Sequence, residues 1–282
     1  MSAKMNAKMN DPHIHIESFT RHSMQLAEQV RGAARDELDS WVHHRSPEVL
    51  KALLDNPALT ERQLLVLLSR KDLSREILSR IAQNREWMNS YAAKLAVVKH
   101  PRTPRHISFS LLKFIYLFDL LGVAMSPGVP AELKRLAEEG ILAQKERLAL
   151  GQRISLARRG SARIAAGLLT DGNRRVIETA LSNPSLTEHA VAAALLAENA
   201  PPELTEIVSG HTRWIIRRSI KQALVRSQHL SLGQALKILP ELGLGELSDL
   251  VSDRRVAGNL RIYARRTILA RRRGIQEHEQ NG

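Results

Sequence analysis

Apolar residues recur three and four positions apart along most of the chain, and this spacing predicts amphipathic α-helices. Short polar corners interrupt the pattern, and the strict alternation that is typical of β-strands is nearly absent. We therefore expect an all-α fold of many short helices. The predicted helical segments are 60–68, 76–82, 87–98, 104–118, 131–148, 161–169, 173–181, 187–197, 203–209, 213–225, 231–239 and 256–273.

The corners between the predicted helices carry residues that end one helix and start the next. Asn-Pro precedes Leu-Thr-Glu twice, so a proline interrupts one helix and Thr60 or Thr187 can cap the following one. Prolines mark further corners at 100–104 and 200–202. Gly274, after three arginines, is a plausible helix stop.

The chain contains an internal repeat with an offset of 127 residues. Residues 46–112 align with 173–239 without an insertion, and 14 of the 67 aligned positions are identical. The similarity is strongest where the six residues from Asn56 meet the six from Asn183, with five identities. One matched residue would be weak evidence, but this run indicates a duplication.

Short helices, short corners and an internal period together predict an α-solenoid, in which each helical pair buries its apolar face against its neighbours. The expected array is HEAT-like and consists of two related halves. The predicted organisation is a mobile leader at 1–18, an N-terminal half at 19–127, a C-terminal half at 128–275 and a polar tail at 276–282.

Residues 85–104 resemble the bacterial leucine-rich repeat variant, a helical unit whose run of small apolar residues ends in Asn-Pro-x-Thr-Pro. Here the run ends in His-Pro-Arg-Thr-Pro, so His100 replaces the Asn, and the copy at 214–231 has lost both prolines. The resemblance covers about two units, and the rest of the chain is similar to HEAT repeats. It implies a bacterial protein folded as a right-handed superhelix of antiparallel helices.

Composition excludes several kinds of chemistry. The chain has no Cys, so it holds no disulfide, no cysteine nucleophile and none of the iron–sulfur clusters that some variant-repeat proteins carry. It contains no Gly-rich phosphate loop, no His-Glu-x-x-His and no Gly-x-Ser-x-Gly. The pairs His13/His15 and His43/His44 have no carboxylate cluster nearby, so solvated histidines are expected rather than metal ligands. We predict no enzyme activity, no cofactor and no metal.

Trp87 and Trp214 align with each other in the repeat, and each is followed at helical spacing by cations. Such a stripe could stack on a base or hold a phosphate. The alternative, which recurrence at one repeat position favours, is that each indole packs between adjacent units. The candidate groove or repeat-packing residues are Trp87, Lys94, Trp214, Arg218 and Lys221.

Basic residues are concentrated near the C-terminus. The net charge is +13, and positions 254–273 hold eight Arg and no acidic residue. On a helix these cations would attract a polyanion such as nucleic acid, with binding that weakens as salt rises. The alternative is that they only stabilise a helix C-terminus. The candidate polyanion-binding residues are Arg254, Arg255, Arg261, Arg265, Arg266 and Arg272.

The window 109–125 is the most apolar stretch and holds three of the four Phe. Its duplicate at 236–252 lacks that bulk. We expect burial at the junction of the halves, with an exposed partner or homodimer surface as the alternative. The candidate interface or half-junction residues are Phe109, Phe114, Tyr116 and Phe118.

These observations predict a non-enzymatic scaffold that binds an unidentified protein partner. The alternative is a sequence-nonspecific nucleic-acid binder that uses the Arg-rich C-terminal helices. The first 20 residues have no apolar core of signal-peptide length, and the apolar window is broken by Lys113 and Asp119 before it could span a membrane. A soluble cytoplasmic protein is therefore expected.

Overall fold

A computed structural model describes residues 12–280 of the chain, with side chains described for 22–273. These residues form α-helices joined by short turns, and no β-strand occurs among them. The all-α class predicted from the hydrophobic pattern is confirmed. Parts of the predicted leader, 1–18, and of the predicted tail, 276–282, lie outside the described residues.

The chain forms two compact units that divide between Gly140 and Ile141. The first unit contains α1 (Pro12–Gly32), α2 (Leu38–Trp41), α3 (Pro47–Asp55), α4 (Glu61–Ser69), α5 (Arg75–Gln83), α6 (Tyr91–Lys99), α7 (Arg105–Leu112) and α8 (Leu117–Met125). The division falls within α9 (Ala131–Ala143). The second unit contains α10 (Leu150–Arg159), α11 (Ala162–Gly167), α12 (Arg174–Leu181), α13 (Glu188–Leu195), α14 (Pro202–Gly210), α15 (Thr212–Ile215), α16 (Arg218–Arg226), α17 (Leu232–Ile238), α18 (Leu244–Ser252) and α19 (Gly258–Gln280).

Each unit has its own apolar core. In the first unit α1 packs against α3 and α4 against α6, and fully buried residues such as Leu53 and Leu64 lie between the helices. In the second unit α10 packs against α12 and α13 against α16, around Leu156 and Ile164. Each such side chain contributes about 1.5–3 kcal/mol through burial.

The two predicted threonine caps are confirmed. The Thr60 hydroxyl accepts a hydrogen bond from the amide of Gln63, and the Gln63 side chain returns one to the Thr60 amide. Thr187 accepts from the amide of Ala190. These bonds satisfy helix N–H groups that have no partner within the helix.

The asparagine before each Asn-Pro corner is buried and ties two helices together. Asn56 donates from Nδ2 to the carbonyl of Val30 at 2.7 Å, at the end of α1, and Asn183 donates to the carbonyl of Ala157 at 2.8 Å in α10. In both cases Oδ1 accepts from the amide two residues ahead. The asparagines thus pair carbonyls that a buried helix end would otherwise leave unsatisfied.

The same side-chain-to-amide bond recurs at other corners with different residue types. A ring nitrogen, an amide oxygen, a carboxylate or a hydroxyl accepts from the amide two residues ahead. Equivalent positions lie 127 residues apart in the two units, and the pairs are His44 and Asp171, Asn56 and Asn183, Asn84 and His211, and His100 and Ser227. A corner therefore requires an acceptor rather than one amino acid.

Helix starts follow the same offset. In the described part of the chain, seven helices from α3 to α9 each have a counterpart that begins 127 residues later. For example, α6 begins at Tyr91 and α16 at Arg218. The counterparts of α3, α4, α5, α6, α7, α8 and α9 are α12, α13, α14, α16, α17, α18 and α19.

The predicted helices are too long at several corners, because apolar spacing continues across backbone that is not helical. At Ser90 the side chain caps α6 by accepting from the amide of Ala93, so Trp87–Asn89 forms a separate 3-10 turn. Tyr116 and Arg217 have extended backbone and precede new helices. The predicted segments that the structure interrupts are 87–98, 104–118, 131–148 and 213–225.

Candidate functional site

Trp214 is a packing residue of the second unit. Its side chain is buried, and its indole Nε1 donates to the carbonyl of Leu181 at 2.9 Å. The Arg213 guanidinium lies 4.3 Å from the centre of the ring. These contacts favour the packing alternative, since a ring held on all sides offers no face to a base.

Trp87 is half-buried against the core of the first unit. Its Nε1 is enclosed and has no hydrogen-bond partner among the described residues. The expected stripe of one tryptophan and the following cations on a single helix is wrong. Lys94 lies on α6, which starts after the turn that holds Trp87, and Arg218 and Lys221 lie on α16 rather than on the helix of Trp214.

A different set of side chains meets at the junction of α6, the turn at 113–116 and α8. The rings of Tyr91 and Tyr116 stack with their centres 4.3 Å apart. The Tyr91 hydroxyl donates to the Asp119 carboxylate at 2.6 Å and accepts from the Tyr116 amide at 3.1 Å. Tyr91 thereby fixes the turn between α7 and α8.

Phe114 lies next to this pair, and two lysines approach its ring. The ammonium of Lys94 is 5.5 Å from the centre of the Phe114 ring, and that of Lys113 is 5.0 Å away. Both distances allow a cation–π interaction, which is worth about 0.5–1 kcal/mol at an exposed site. Neither lysine lies within 4 Å of a carboxylate in the part of the chain that the structure describes.

The burial expected for the apolar window is wrong for three of its four candidates. Phe114 is 51% exposed, Tyr116 69% and Phe118 47%, whereas Phe109 is half-buried. The reason is that the turn after α7 places these rings on the outside, while Leu120 and Leu121 fill the core. We name this surface the aromatic–lysine patch; it consists of Tyr91, Lys94, Lys113, Phe114, Tyr116 and Phe118.

The equivalent surface of the second unit is built from ion pairs. Arg218, at the position of Tyr91, pairs with Glu246, which stands at the position of Asp119. Lys221, at the position of Lys94, pairs with Glu241. Glu241 stands where the first unit has Phe114. Two glycines, Gly243 and Gly245, replace Tyr116 and Phe118.

The ionisation of the two surfaces differs accordingly. Arg218 lowers the pKa of Glu246 to about 2, with further hydrogen bonds from the Gly243 amide and the Gln222 side chain. In the patch, loss of solvent and the hydrogen bond to Asp119 raise the pKa of the Tyr91 phenol. Tyr91 therefore stays neutral at physiological pH, and the positive charge of the patch resides on its lysines.

The C-terminal arginines differ in exposure and in pairing. Arg254, Arg265, Arg266 and Arg272 are exposed, but Arg261 is half-buried. Arg255 pairs with Asp253 at 3.2 Å and holds the pKa of that carboxyl at about 2.

Arg271, which the candidate set leaves out, anchors α19 to the turn before α18. It donates to the carbonyls of Leu242 and Pro240. This arginine is therefore occupied within the chain.

Exposed apolar residues interrupt the basic surface of α19. Ile262 is 57% exposed and Leu269 is 50% exposed, one on each side of Arg265 and Arg266. Arg266 lies 5.8 Å from the centre of the Tyr263 ring. The exposed arginines can bind phosphate, while the apolar side chains between them add nothing to that chemistry.

No group of three or more His, Asp or Glu residues is positioned to hold a metal ion within the part of the chain searched. Burial lowers the pKa of His100 and of His211, and both rings accept corner hydrogen bonds. None of the helices in the described residues is both long and apolar enough to cross a membrane.

Comparison of the chain with protein-family models, with characterised proteins and with solved structures finds no match.

The patch contains residues that sequence reasoning did not assign to a site. Lys113 and Asp119 served only as interruptions of an apolar window, and Tyr91 was not a candidate residue. A signal was present in the repeat. Aligned positions hold an acid in one half and an aromatic in the other, as at Glu241 and Phe114.

Proposed function

We propose that this protein is a non-enzymatic helical-repeat scaffold that binds a protein partner through the aromatic–lysine patch. The observation that carries the proposal is the exposure of Phe114, Tyr116 and Phe118 within five consecutive residues, together with two lysines at the Phe114 ring that have no acidic partner among the described residues. Aromatic side chains that are exposed together are typical of docking surfaces, where a few rings provide most of the binding energy.

The proposal assigns binding rather than catalysis. Glu246, Asp253 and Asp72 have pKa values of about 2, each because an arginine donates hydrogen bonds to the carboxylate. A carboxylate held ionised in an ion pair stabilises the fold but is a poor general acid near neutral pH. No catalytic motif in the sequence offers an alternative.

We further propose that the 127-residue offset records a duplication and that the helices are repeat units of the α-solenoid class. Three observations support this: helix starts, corner hydrogen bonds and pairs of packed helices recur at the same offset. The resemblance to the bacterial leucine-rich repeat variant stays a prediction, which the corner role of His100 supports.

The experiment compares two double variants with the wild-type chain in an affinity pull-down at physiological salt. Phe114→Ala with Phe118→Ala should lose proteins that the wild-type chain retains, because the rings that a partner would bury are gone. Met24→Ala with Val66→Ala removes exposed apolar side chains elsewhere in the first unit and should retain them.

Both double variants should melt close to the wild-type temperature, since exposed substitutions change stability by about 0.5 kcal/mol or less each. Retention of the same proteins by the Phe variant would contradict the proposal. A large fall in its melting temperature would also contradict it, because the rings would then belong to the core.

The second candidate function is nucleic-acid binding through α19. The exposed side chains of Arg265, Arg266 and Arg272 support it, since phosphate contacts need accessible cations. The half-buried Arg261 and the anchoring contacts of Arg271 reduce the number of arginines available.

A further inference from the structure

In the second unit, a carboxylate pairs with the lysine at the position equivalent to Lys94. There, Lys221 of α16 binds the carboxylate of Glu241, a residue of the turn that precedes α18. One helical turn later, Arg226 binds Asp253 with 3.5 Å between Nε and the carboxylate. Both cations are thus neutralised by acids of the same chain.

The first unit keeps the cations and lacks these acids. Lys94 and Lys99 occupy the positions of Lys221 and Arg226, but Phe114 and Ser126 replace the two acids. The Lys99 ammonium lies against α8, 3.5 Å from where a Cβ on Gly122 would be. Like Lys94, Lys99 has no carboxylate within 4 Å among the described residues.

We infer that the aromatic–lysine patch, together with Lys99 of the same helix as Lys94, binds an acidic segment of a partner protein, whose carboxylates take the place that Glu241 and Asp253 hold in the second unit. The inference rests on the proposed docking function and adds the chemistry of the partner. The lysines lie at the exposed Phe114 ring, and Tyr116 and Phe118 are exposed in the same stretch of the chain, so the segment also carries apolar side chains that cover these rings. Charge complementarity sets the register, and ring burial provides affinity.

The geometry favours a carboxylate over a nucleic-acid base. Two ammonium groups lie at the Phe114 ring, where the carboxylates of a partner can reach both. The second unit provides the precedent of a carboxylate at this position.

The test selects peptides from a random library displayed on phage, with the full chain as bait. We expect the enriched peptides to combine Asp or Glu with aromatic or aliphatic residues. A synthetic copy of one such peptide should bind about tenfold or more weaker when its acids become Gln or Asn, and its affinity should fall as salt rises. Enrichment of basic or neutral peptides, or of none, would overturn the inference.

Phe114→Glu supplies the missing carboxylate within the chain, as Glu241 does for Lys221. It should weaken the acidic peptide about tenfold or more. Phe114→Gln removes the same ring without a charge and should weaken the peptide less. Val66→Glu makes the same charge change at an exposed position of α4 and should leave affinity unchanged. Equal effects of Phe114→Glu and Val66→Glu would contradict the inference.

Single-stranded DNA serves as the competitor that distinguishes phosphate from carboxylate. DNA that displaces the peptide at physiological salt and itself loses affinity in Phe114→Glu would assign the patch to nucleic acid instead. If pull-down partners depend on Phe114 and Phe118 but the selected peptides lack acidic residues, only the acidic character of the partner is refuted. The docking function would then stand without it.

Discussion

At the scale of single residues, each corner depends on one side-chain acceptor, and His100 is one that is buried. His100 fills this role with a ring: Nδ1 accepts from the Arg102 amide at 3.1 Å, and Nε2 lies 2.6 Å from the carbonyl of Arg70. Only the neutral ring can do both, since Nδ1 must keep a lone pair while Nε2 carries the proton. Burial accordingly lowers the pKa of His100 from its ordinary 6.5.

His100→Asn should reduce the loss of stability on acidification. Because the pKa of His100 is lower in the folded than in the unfolded chain, its contribution is present above about pH 6.5 and is lost as pH falls. Asparagine accepts the corner hydrogen bond at Asn56 without titrating. Urea unfolding at about pH 8 and about pH 5 should therefore show a smaller difference in the variant.

The matched control is His229→Asn, which changes an exposed histidine. Its unfolding free energy should show the same pH dependence as the wild-type chain. An unchanged pH dependence in His100→Asn would mean that the buried ring does not gain its proton within this range. His211, whose pKa is also lowered by burial, retains part of the acid sensitivity in either variant.

At the scale of helices, close contact limits side-chain size where α10 meets α11. A Cβ on Gly160 would lie 2.5 Å from the Leu156 carbonyl oxygen and 2.7 Å from a methyl carbon of Ile164. The backbone of Gly160 is extended, so the constraint is steric. Asn183 also donates to the Gly160 carbonyl at 3.0 Å, which fixes that backbone further.

Gly160→Ala should lower the free energy of unfolding by about 1–3 kcal/mol, because a backbone atom and a branched side chain must both move. Gly151→Ala, in the first turn of α10, meets open space and should leave stability unchanged or raise it by about 0.5–1 kcal/mol. Chemical denaturation of both variants measures the difference. Equal stabilities would show that the corner adapts.

Periodicity predicted the existence of most helices, and threonine chemistry predicted two of their starts. Periodicity could not predict the helix breaks at Ser90 or Arg217. Apolar spacing continues through both positions, and only the extended backbone there ends the helix. The exposure of Phe114 could not be predicted either. An apolar stretch of sequence indicates burial, and only the conformation of the turn after α7 places the Phe114 ring at the surface.

At the scale of the whole molecule, the net charge of +13 attracts any polyanion at low salt. Only salt dependence and site dependence distinguish that background from a nucleic-acid surface. Site dependence can be tested by comparing the exposed arginines of α19 with exposed arginines of the first unit.

Replacement of Arg265, Arg266 and Arg272 by Glu should weaken binding to duplex DNA, single-stranded DNA and RNA about tenfold or more if α19 is a nucleic-acid surface. The control carries the same charge change at Arg62, Arg75 and Arg85, which are exposed in the first unit. Fluorescence anisotropy between low and physiological salt measures both. Equal losses of affinity in the two variants would show that the net charge of the protein, rather than a surface on α19, causes the binding.

The corners described above make the number of helices in such a chain easy to change. Consider a deletion that joins Asn56 directly to the residue after Asn183, 127 positions further along the chain. The Oδ1 of Asn56 would then accept from the amide of Ser185, as the Oδ1 of Asn183 does in the intact chain. Shortening or lengthening the chain by 127 residues at this corner thus preserves the hydrogen bond from the backbone amide to the asparagine oxygen. Evolution and protein engineering can therefore change the number of helices by whole periods, while an off-period splice would bury an amide with no acceptor.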